Sequence, residues 1–199
     1  MQGLADGYFV LPYTIQNYLS DQITVPRFST DAPEFEAAEK AMQQRIDHLM
    51  GIKGKRSVDS IHKELGHIMW EHVGMARTKE GLEEGLKLMK NLRKEFETNL
   101  FVPGSKDGLN VELDKAFRLN DFITMGELIA WDALNRNESC GGHFREEYQT
   151  EDGEAKRDDQ NCFYVSCWEY QGSDDKAPVM YKEPLKYEAI EVKTRNYKN

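Results

Sequence analysis

The feature that most constrains this chain is a succession of apolar residues at helical spacing between residues 57 and 136. Ile61, Leu65, Ile68, Met69 and Val73 form one set, and Leu82, Leu86, Met89, Leu92 and Phe96 form the next. Steps of three and four put each set on one face of a helix, and such a stripe has to be buried against something. Ser57 and Thr78 stand where N-caps belong, and Val102-Pro-Gly-Ser-Lys-Asp-Gly108 is a loop by its turn residues. Residues 111 to about 136 differ. There Leu113, Phe117, Leu119, Phe122, Ile123, Met125, Leu128, Ile129 and Trp131 surround the helix on most sides. A helix apolar nearly all round belongs in the middle. The expected fold class is therefore mainly α: an antiparallel helical bundle, spectrin-repeat-like, with this helix at its centre.

The flanks are less regular. Residues 4–20 place Leu4, Tyr8, Leu11, Ile15 and Tyr18 or Leu19 at helical spacing, with Pro12 predicting a kink or a broken turn. Residues 22–30, with Pro26, read as an extended connector. Asp31-Ala-Pro-Glu34 reads as a helix start: Asp31 caps, Pro33 suits the first turn and Glu34 reaches back as in a capping box. That helix should run to about residue 50, and the basic Gly51-Ile-Lys-Gly-Lys-Arg56 ends it as a solvated turn. After residue 137 the pattern changes. Residues 146–160 are polar and acidic, a surface loop, whereas residues 162–170 are aromatic and β-branched, a strand. Residues 171–176 form a turn, residues 179–181 can pair back, and residues 187–197 alternate weakly as a late strand or tail. A small β segment thus follows the bundle, and the chain divides at 1–27, 28–137 and 138–199.

Several function classes are excluded at this level. No run approaches the roughly 20 apolar residues of a membrane helix, so no direct membrane insertion is expected. The start has an early acid and no basic region, unlike a signal peptide. A net charge of −9 without a basic, aromatic-laced face argues against nucleic acid. Cys140, Cys162 and Cys167 are odd in number and irregular in spacing, which suits reduced, partly buried thiols better than a disulfide framework or a metal site. His62, His67 and His72 lie five apart, so each step turns about 140° beyond a full revolution and no metal-binding pair shares a face. No glycine-rich phosphate loop, nucleophile elbow or catalytic Ser/His/Asp arrangement is present. No catalytic, cofactor-binding or metal-ligating residue is assigned from the residues themselves.

One cluster stands apart: Glu138-Ser-Cys-Gly-Gly-His-Phe-Arg145, at the end of the long helix. Two glycines permit a tight turn. His143 and Arg145 then either project toward a neighbouring element, as inter-domain contacts, or bind backbone carbonyls as part of a helix terminator.

Three blocks of sequence carry a family resemblance. Met1-Gln-Gly-Leu-Ala-Asp-Gly-Tyr-Phe-Val-Leu-Pro-Tyr13 resembles the stretch that follows the flavin-contacting segment of succinate dehydrogenase and fumarate reductase flavoproteins. Leu128-Ile-Ala-Trp-Asp-Ala-Leu-Asn-Arg-Asn-Glu-Ser139, with Gly141 to Arg145 and then Arg157-Asp-Asp159, resembles the C-terminal signature of that family. There a helix ends in Glu-Ser-Arg-Gly-x-His-x-Arg and an acidic loop follows. The chain departs at Cys140, where arginine is usual, and at Gly142, where alanine is common.

The resemblance implies a C-terminal structural and docking region of a subunit that interconverts succinate and fumarate through FAD and passes electrons to an iron–sulfur subunit. Residues 1–27 would be the tail of the FAD-binding domain, 28–137 the helical domain and 138–199 a loop and strand extension. The groups that clamp the dicarboxylate and move the hydride would precede Met1, so these 199 residues alone should be inactive and free of FAD. Met1 and Gln2 would be nearest the flavin, where a helix N-terminus favours negative charge on the reduced ring. Implied partners are the iron–sulfur subunit, through it a membrane cytochrome b subunit, and the FAD-binding domain itself. The implied location is cytoplasmic, peripheral on the inner face of the membrane. The readings weighed against this one are a stand-alone helical interaction module and the matching region of an L-aspartate oxidase-like flavoprotein.

Overall fold

The computed structural model describes residues 1–171 and 176–193, and the chain forms two compact units, Met1–Arg45 and Ile46–Asn199. In the first unit, α1 (Gln2–Ala5) leads through a π-helical stretch, Asp6–Val10, into α2 (Leu11–Leu19). The interruption expected at Pro12 falls just before it. Pro12 lies in the first turn of α2, where its missing N–H is harmless, and the Leu11 N–H donates five residues back to Asp6 O. The connector over 22–30 is not wholly extended. Turn bonds from Gln22 N–H to Leu19 O (3.0 Å) and from Val25 N–H to Gln22 O (3.2 Å) precede an irregular stretch. Then α3 (Pro33–Gly51) begins, without Asp31 as its cap: that carboxylate accepts from Ser29 Oγ instead (3.0 Å). No residue of the first unit with a described side chain is buried, and Tyr8, Phe9 and Tyr18 are 73%, 67% and 79% exposed.

The second unit takes up the end of α3 and continues through β1 (Arg56–Ser57), α4 (Val58–His72), α5 (Lys79–Asn99), β2 (Leu100–Phe101) and α6 (Val111–Asn135). The three helices begin on side-chain caps. Ser57 Oγ accepts from Ser60 N–H (3.2 Å), Thr78 Oγ1 from Gly81 N–H (3.0 Å) and Asn110 Oδ1 from Leu113 N–H (3.1 Å). Their directions follow from contacts at the ends. Arg56 pairs with Leu100 at one end of α4 and α5, and a Cβ built on Gly85 would meet His72 Cβ at the other, so the two run antiparallel. Lys115 binds Asp59 (2.8 Å) while Gly126 faces Met69 and Leu65, so α6 runs alongside α4 in the same sense. Ile61, Leu65, Ile68, Leu82, Met89, Leu92, Phe96, Leu119 and Ile123 fill the space between them.

α6 is not buried all round, contrary to the sequence expectation. Its buried residues, Leu113, Ala116, Leu119, Ile123, Gly126, Ala130 and Ala133, form a single stripe, whereas Phe122, Met125 and Ile129 are 46%, 51% and 42% exposed. Small residues make the stripe. At Gly126 an added Cβ would lie 3.1 Å from the sulfurs of both Met69 and Met89, so a side chain there would require both thioethers to give way. Counting large apolar residues hides a contact face built from alanine and glycine.

Beyond α6 the chain forms a two-stranded antiparallel sheet, β3 (Tyr164–Glu169) with β4 (Val179–Pro184), in the register Tyr164 to Pro184 and Glu169 to Val179. The architecture is thus a helical bundle followed by a small β segment. Of the expected turn over 171–176, residues 172–175 lie outside the described residues. So do residues 194–199 at the end of the expected late strand or tail, and its described residues 187–193 form no strand.

Candidate functional site

The polar chemistry of the second unit gathers where α6 ends. α6 stops at Asn135, and the chain reverses at Cys140–His143, where Cys140 N–H donates to His143 O (2.8 Å) and His143 N–H to Cys140 O (3.0 Å). Gly141 makes this two-residue turn possible with a φ of 60°, a region that side chains disfavour. The return strand then runs beside the α4–α5 loop: Arg77 N–H donates to Phe144 O (3.1 Å) and Glu146 N–H to Arg77 O (2.8 Å). Two buried residues lock the entry. Ser139 Oγ accepts from Arg145 N–H (2.8 Å) and donates to Arg145 O (3.1 Å), while Glu138 accepts from Arg136 Nη1 and from Asp158 N–H, both at 2.9 Å.

Arg145 is only 2% exposed. Its Nη1 donates to Ala133 O (3.1 Å) and Leu134 O (3.3 Å), orphan carbonyls at the end of α6, and its Nε donates to Glu147 Oε2 (3.1 Å). Glu147 also accepts from Lys79 N–H at the start of α5. Burial opposes ionisation of Glu147, but the bonds from Arg145 and Lys79 N–H prevail and hold its carboxyl at about 2. One buried guanidinium therefore ties the end of α6, the return strand and the start of α5 together.

His143 is half-buried between two arginines. Arg77 Nη1 donates to its Nδ1 (2.7 Å), and its Nε2 donates to Arg136 O (3.0 Å). Those partners define the neutral tautomer with the proton on Nε2. Burial, joined by the positive charges of Arg77, Arg145 and Arg136, pushes the imidazole below its ordinary 6.5, against the raising effect of the Arg136 carbonyl. A depressed pKa means that the stabilising contribution is complete above the unfolded-state value and is lost as the pH falls through 6.5 toward the folded value. Glu147 acts in the same direction over a lower window, from 4.5 down to about 2. Acidification should therefore weaken this end of the bundle in two stages, His143 first. The His143 ring, followed by NMR, should titrate below 6.5; titration at or above that value would contradict the tautomer.

The groups picked out from sequence are thus placed in different ways. His143 and Arg145 come together with Arg77, Arg136 and Glu147, and both bond to backbone carbonyls of the helix end. Met1 belongs to the first unit and is 99% exposed; the side chain of Gln2 lies outside what is described. The three cysteines are free thiols, and burial raises that of Cys162. His62 stacks on Phe122 at 5.4 Å, and no group of three metal-ligating side chains occurs among the described residues. Arg77 was not visible as a site residue, because no local spacing links it to a histidine 66 residues away. Between these groups and β3 lies an open cleft of about 590 Å³, with Arg77, Asp132, His143 and Trp168 in its wall. Trp168 Nε1–H donates to Asp132 Oδ1 (2.8 Å) and fixes the strand to α6.

Comparison with known proteins gives a consistent picture. Residues 62–197 match the model of a family described as fumarate reductase flavoprotein C-term. The fumarate reductase flavoprotein subunit of Helicobacter pylori is 26% identical over 178 residues, 89% of this chain and 24% of that protein. Among solved structures, Mycobacterium smegmatis Sdh1 in complex with UQ1 superposes with a TM-score of 0.69 at 21% identity, over 86% of this chain and 26% of the other. Adenylylsulfate reductase from Archaeoglobus fulgidus superposes with a TM-score of 0.66 at 16% identity, over 89% and 28%. At such identities the structural likeness shows the fold alone. The chain spans between 20% and 24% of the length of the first curated relatives it matches.

Proposed function

The chain belongs to the family of fumarate reductase flavoprotein C-terminal domains, and from that premise we propose that it serves as the structural and docking domain of a flavoprotein that interconverts succinate and fumarate. The observation that carries this reading is the match over residues 62–197, which takes in α5, α6, the Glu138–Arg145 turn and the β segment. The likeness to adenylylsulfate reductase supports a narrower role for the fold itself. A helical domain shared by reductases of different substrates braces the enzyme rather than selecting what it reduces.

FAD belongs, on this reading, to the whole subunit. These residues do not fit the cofactor. The one parallel strand ladder among the described residues, β1 with β2, is two residues long, and the loop from β2 into α6 holds Gly104 and Gly108 without the Gly-x-Gly-x-x-Gly spacing of a dinucleotide turn. No step of flavin chemistry is therefore derived from this chain. Its contribution is geometric. Arg145 and His143 hold the turn after α6 from within, so that the surface offered to the flavin-binding domain keeps one shape. Residues 1–27, with their exposed tyrosines and Phe9, complete the flavin-binding domain, and 28–137 and 138–199 are the helical domain and its extension. The electrons would pass to an iron–sulfur subunit and on to a membrane cytochrome b subunit, with the flavoprotein peripheral on the inner face of the cytoplasmic membrane. No helix among the described residues is long and apolar enough to cross a membrane.

The native source tests this. Peptides of this chain, traced by mass spectrometry through a native gel, should migrate with bound flavin and with peptides of an iron–sulfur protein. Recovery in a flavin-free species of 23.0 kDa would instead support a stand-alone helical module and overturn the proposal.

A further inference from the structure

Three guanidinium groups crowd the end of α6, and their partners differ. Arg136 has a carboxylate oxygen of Glu138 at 2.9 Å, and Arg145 has one of Glu147 at 3.1 Å. Arg77 has none among the described residues. Its Nε donates to the carbonyls of Val73 (3.0 Å) and Gly74 (3.2 Å), and its Nη1 donates to the neutral His143 ring. Yet Arg77 is half-buried, and burial weighs against its charge. Its hydrogen bonds all go to neutral acceptors and Asp132 offsets its burial only through space, so it is less fully compensated than its two ion-paired neighbours. Arg77 lines the open cleft, as does Arg136, whose charge is already paired with Glu138.

The remaining walls limit what fits. Leu128, Ile129 and Trp168 give the cleft an apolar side beside the guanidinium. Asp132 lies in the same wall, close enough to act on Arg77 through space, but its Oδ1 is taken by the Trp168 indole. Asp132 repels any anion in the cleft in proportion to its charge, as Arg77 attracts it, but desolvation against apolar walls costs a dianion such as phosphate far more than a single carboxylate, so a carboxylate directed at Arg77 is the better fit. A guanidinium beside an indole and two aliphatic side chains favours that carboxylate between apolar neighbours.

We propose that this cleft is a docking point for an acidic side chain, an aspartate or glutamate flanked by apolar residues on a polypeptide segment outside this chain. The carboxylate pairs with Arg77, and the flanking residues pack on Leu128, Ile129 and Trp168. The inference rests on the chemistry of the cleft and not on the proposed role of the chain. A flavin-free native species would leave it standing, and an empty cleft would leave the family reading standing.

The test uses the intact chain and the blocked peptide acetyl-Ala-Leu-Asp-Leu-Ala-amide, with NMR of the Trp168 indole N–H and the His143 ring as readout. The aspartyl peptide should shift both signals. Its asparaginyl counterpart should bind at least about tenfold more weakly, the loss of one charge-assisted pair. Ile129→Glu places a tethered carboxylate in the cleft at a position already 42% exposed, and it should abolish the response with the helical signal unchanged. If that variant does not fold, the two peptides on the native chain decide the matter. Equal binding of the two peptides, no response to either, or undiminished binding by a folded Ile129→Glu would overturn the proposal. Free acetate binding as tightly as the peptide would overturn it too, by showing a small-carboxylate site in place of a docking point.

Discussion

Replacing Arg145 by alanine is expected to lower the stability of the chain by about 3 kcal/mol in chemical denaturation. The side chain is 2% exposed and meets three separate demands, supplying donors to the carbonyls of Ala133 and Leu134 and a countercharge to Glu147. Without it, two carbonyls at the end of α6 lose their donor and Glu147 loses its cation. Removing one partner of a buried pair costs about 3–5 kcal/mol; the lower figure applies because the Glu147 side chain is 35% exposed and can regain water. Arg145→Lys should rescue little, since an ammonium cannot reproduce the planar fork that reaches carbonyls and carboxylate together. Glu147→Gln should cost less, about 1 kcal/mol, because Arg145 keeps its carbonyl acceptors. A loss below about 1 kcal/mol in Arg145→Ala would mean that the helix end is held by other groups.

The contrast between Arg145 and its surroundings shows what the sequence could convey. The helices from residue 57 onward were legible, because Ser57 and Thr78 cap where local chemistry says they should and the stripes of α4 and α5 keep their spacing. The reversal after α6 was legible from its two glycines. The strand pair was legible from its aromatic, β-branched composition and the turn residues between. The depth of α6 is not legible in the sequence, because Phe122, Met125 and Ile129 are large and visible in a pattern while Ala116, Gly126, Ala130 and Ala133 make the contact. At the start of α3 the Asp31 carboxylate accepts from Ser29 Oγ, a local alternative to capping that spacing rules do not rank. In the candidate site, His143 and Arg145 announced themselves through the turn, but Arg77, Glu147 and Trp168 did not. Their roles arise from contacts among the α4–α5 loop, the end of α6, the residues after the turn and β3, and only the fold brings those segments together.

On the proposed function, this chain braces and docks while the redox chemistry lies elsewhere in the flavoprotein. Hydride transfer between a dicarboxylate and a flavin needs a bound isoalloxazine and a set of cations pre-positioned on the substrate. The guanidinium groups of Arg145 and Arg136 are committed to holding the fold, and Asp132 stands in the cleft beside Arg77, an anion where a dicarboxylate clamp needs cations. A net charge of −9 offers no general attraction for a dianion either. The most direct measurement is the absorption spectrum of the purified chain, taken with an assay of succinate-dependent dye reduction. A colourless protein with no reduction above the protein-free rate is the expected result. Flavin absorption near about 450 nm in stoichiometric amount, or dye reduction that depends on succinate, would contradict the account and locate the chemistry within these 199 residues.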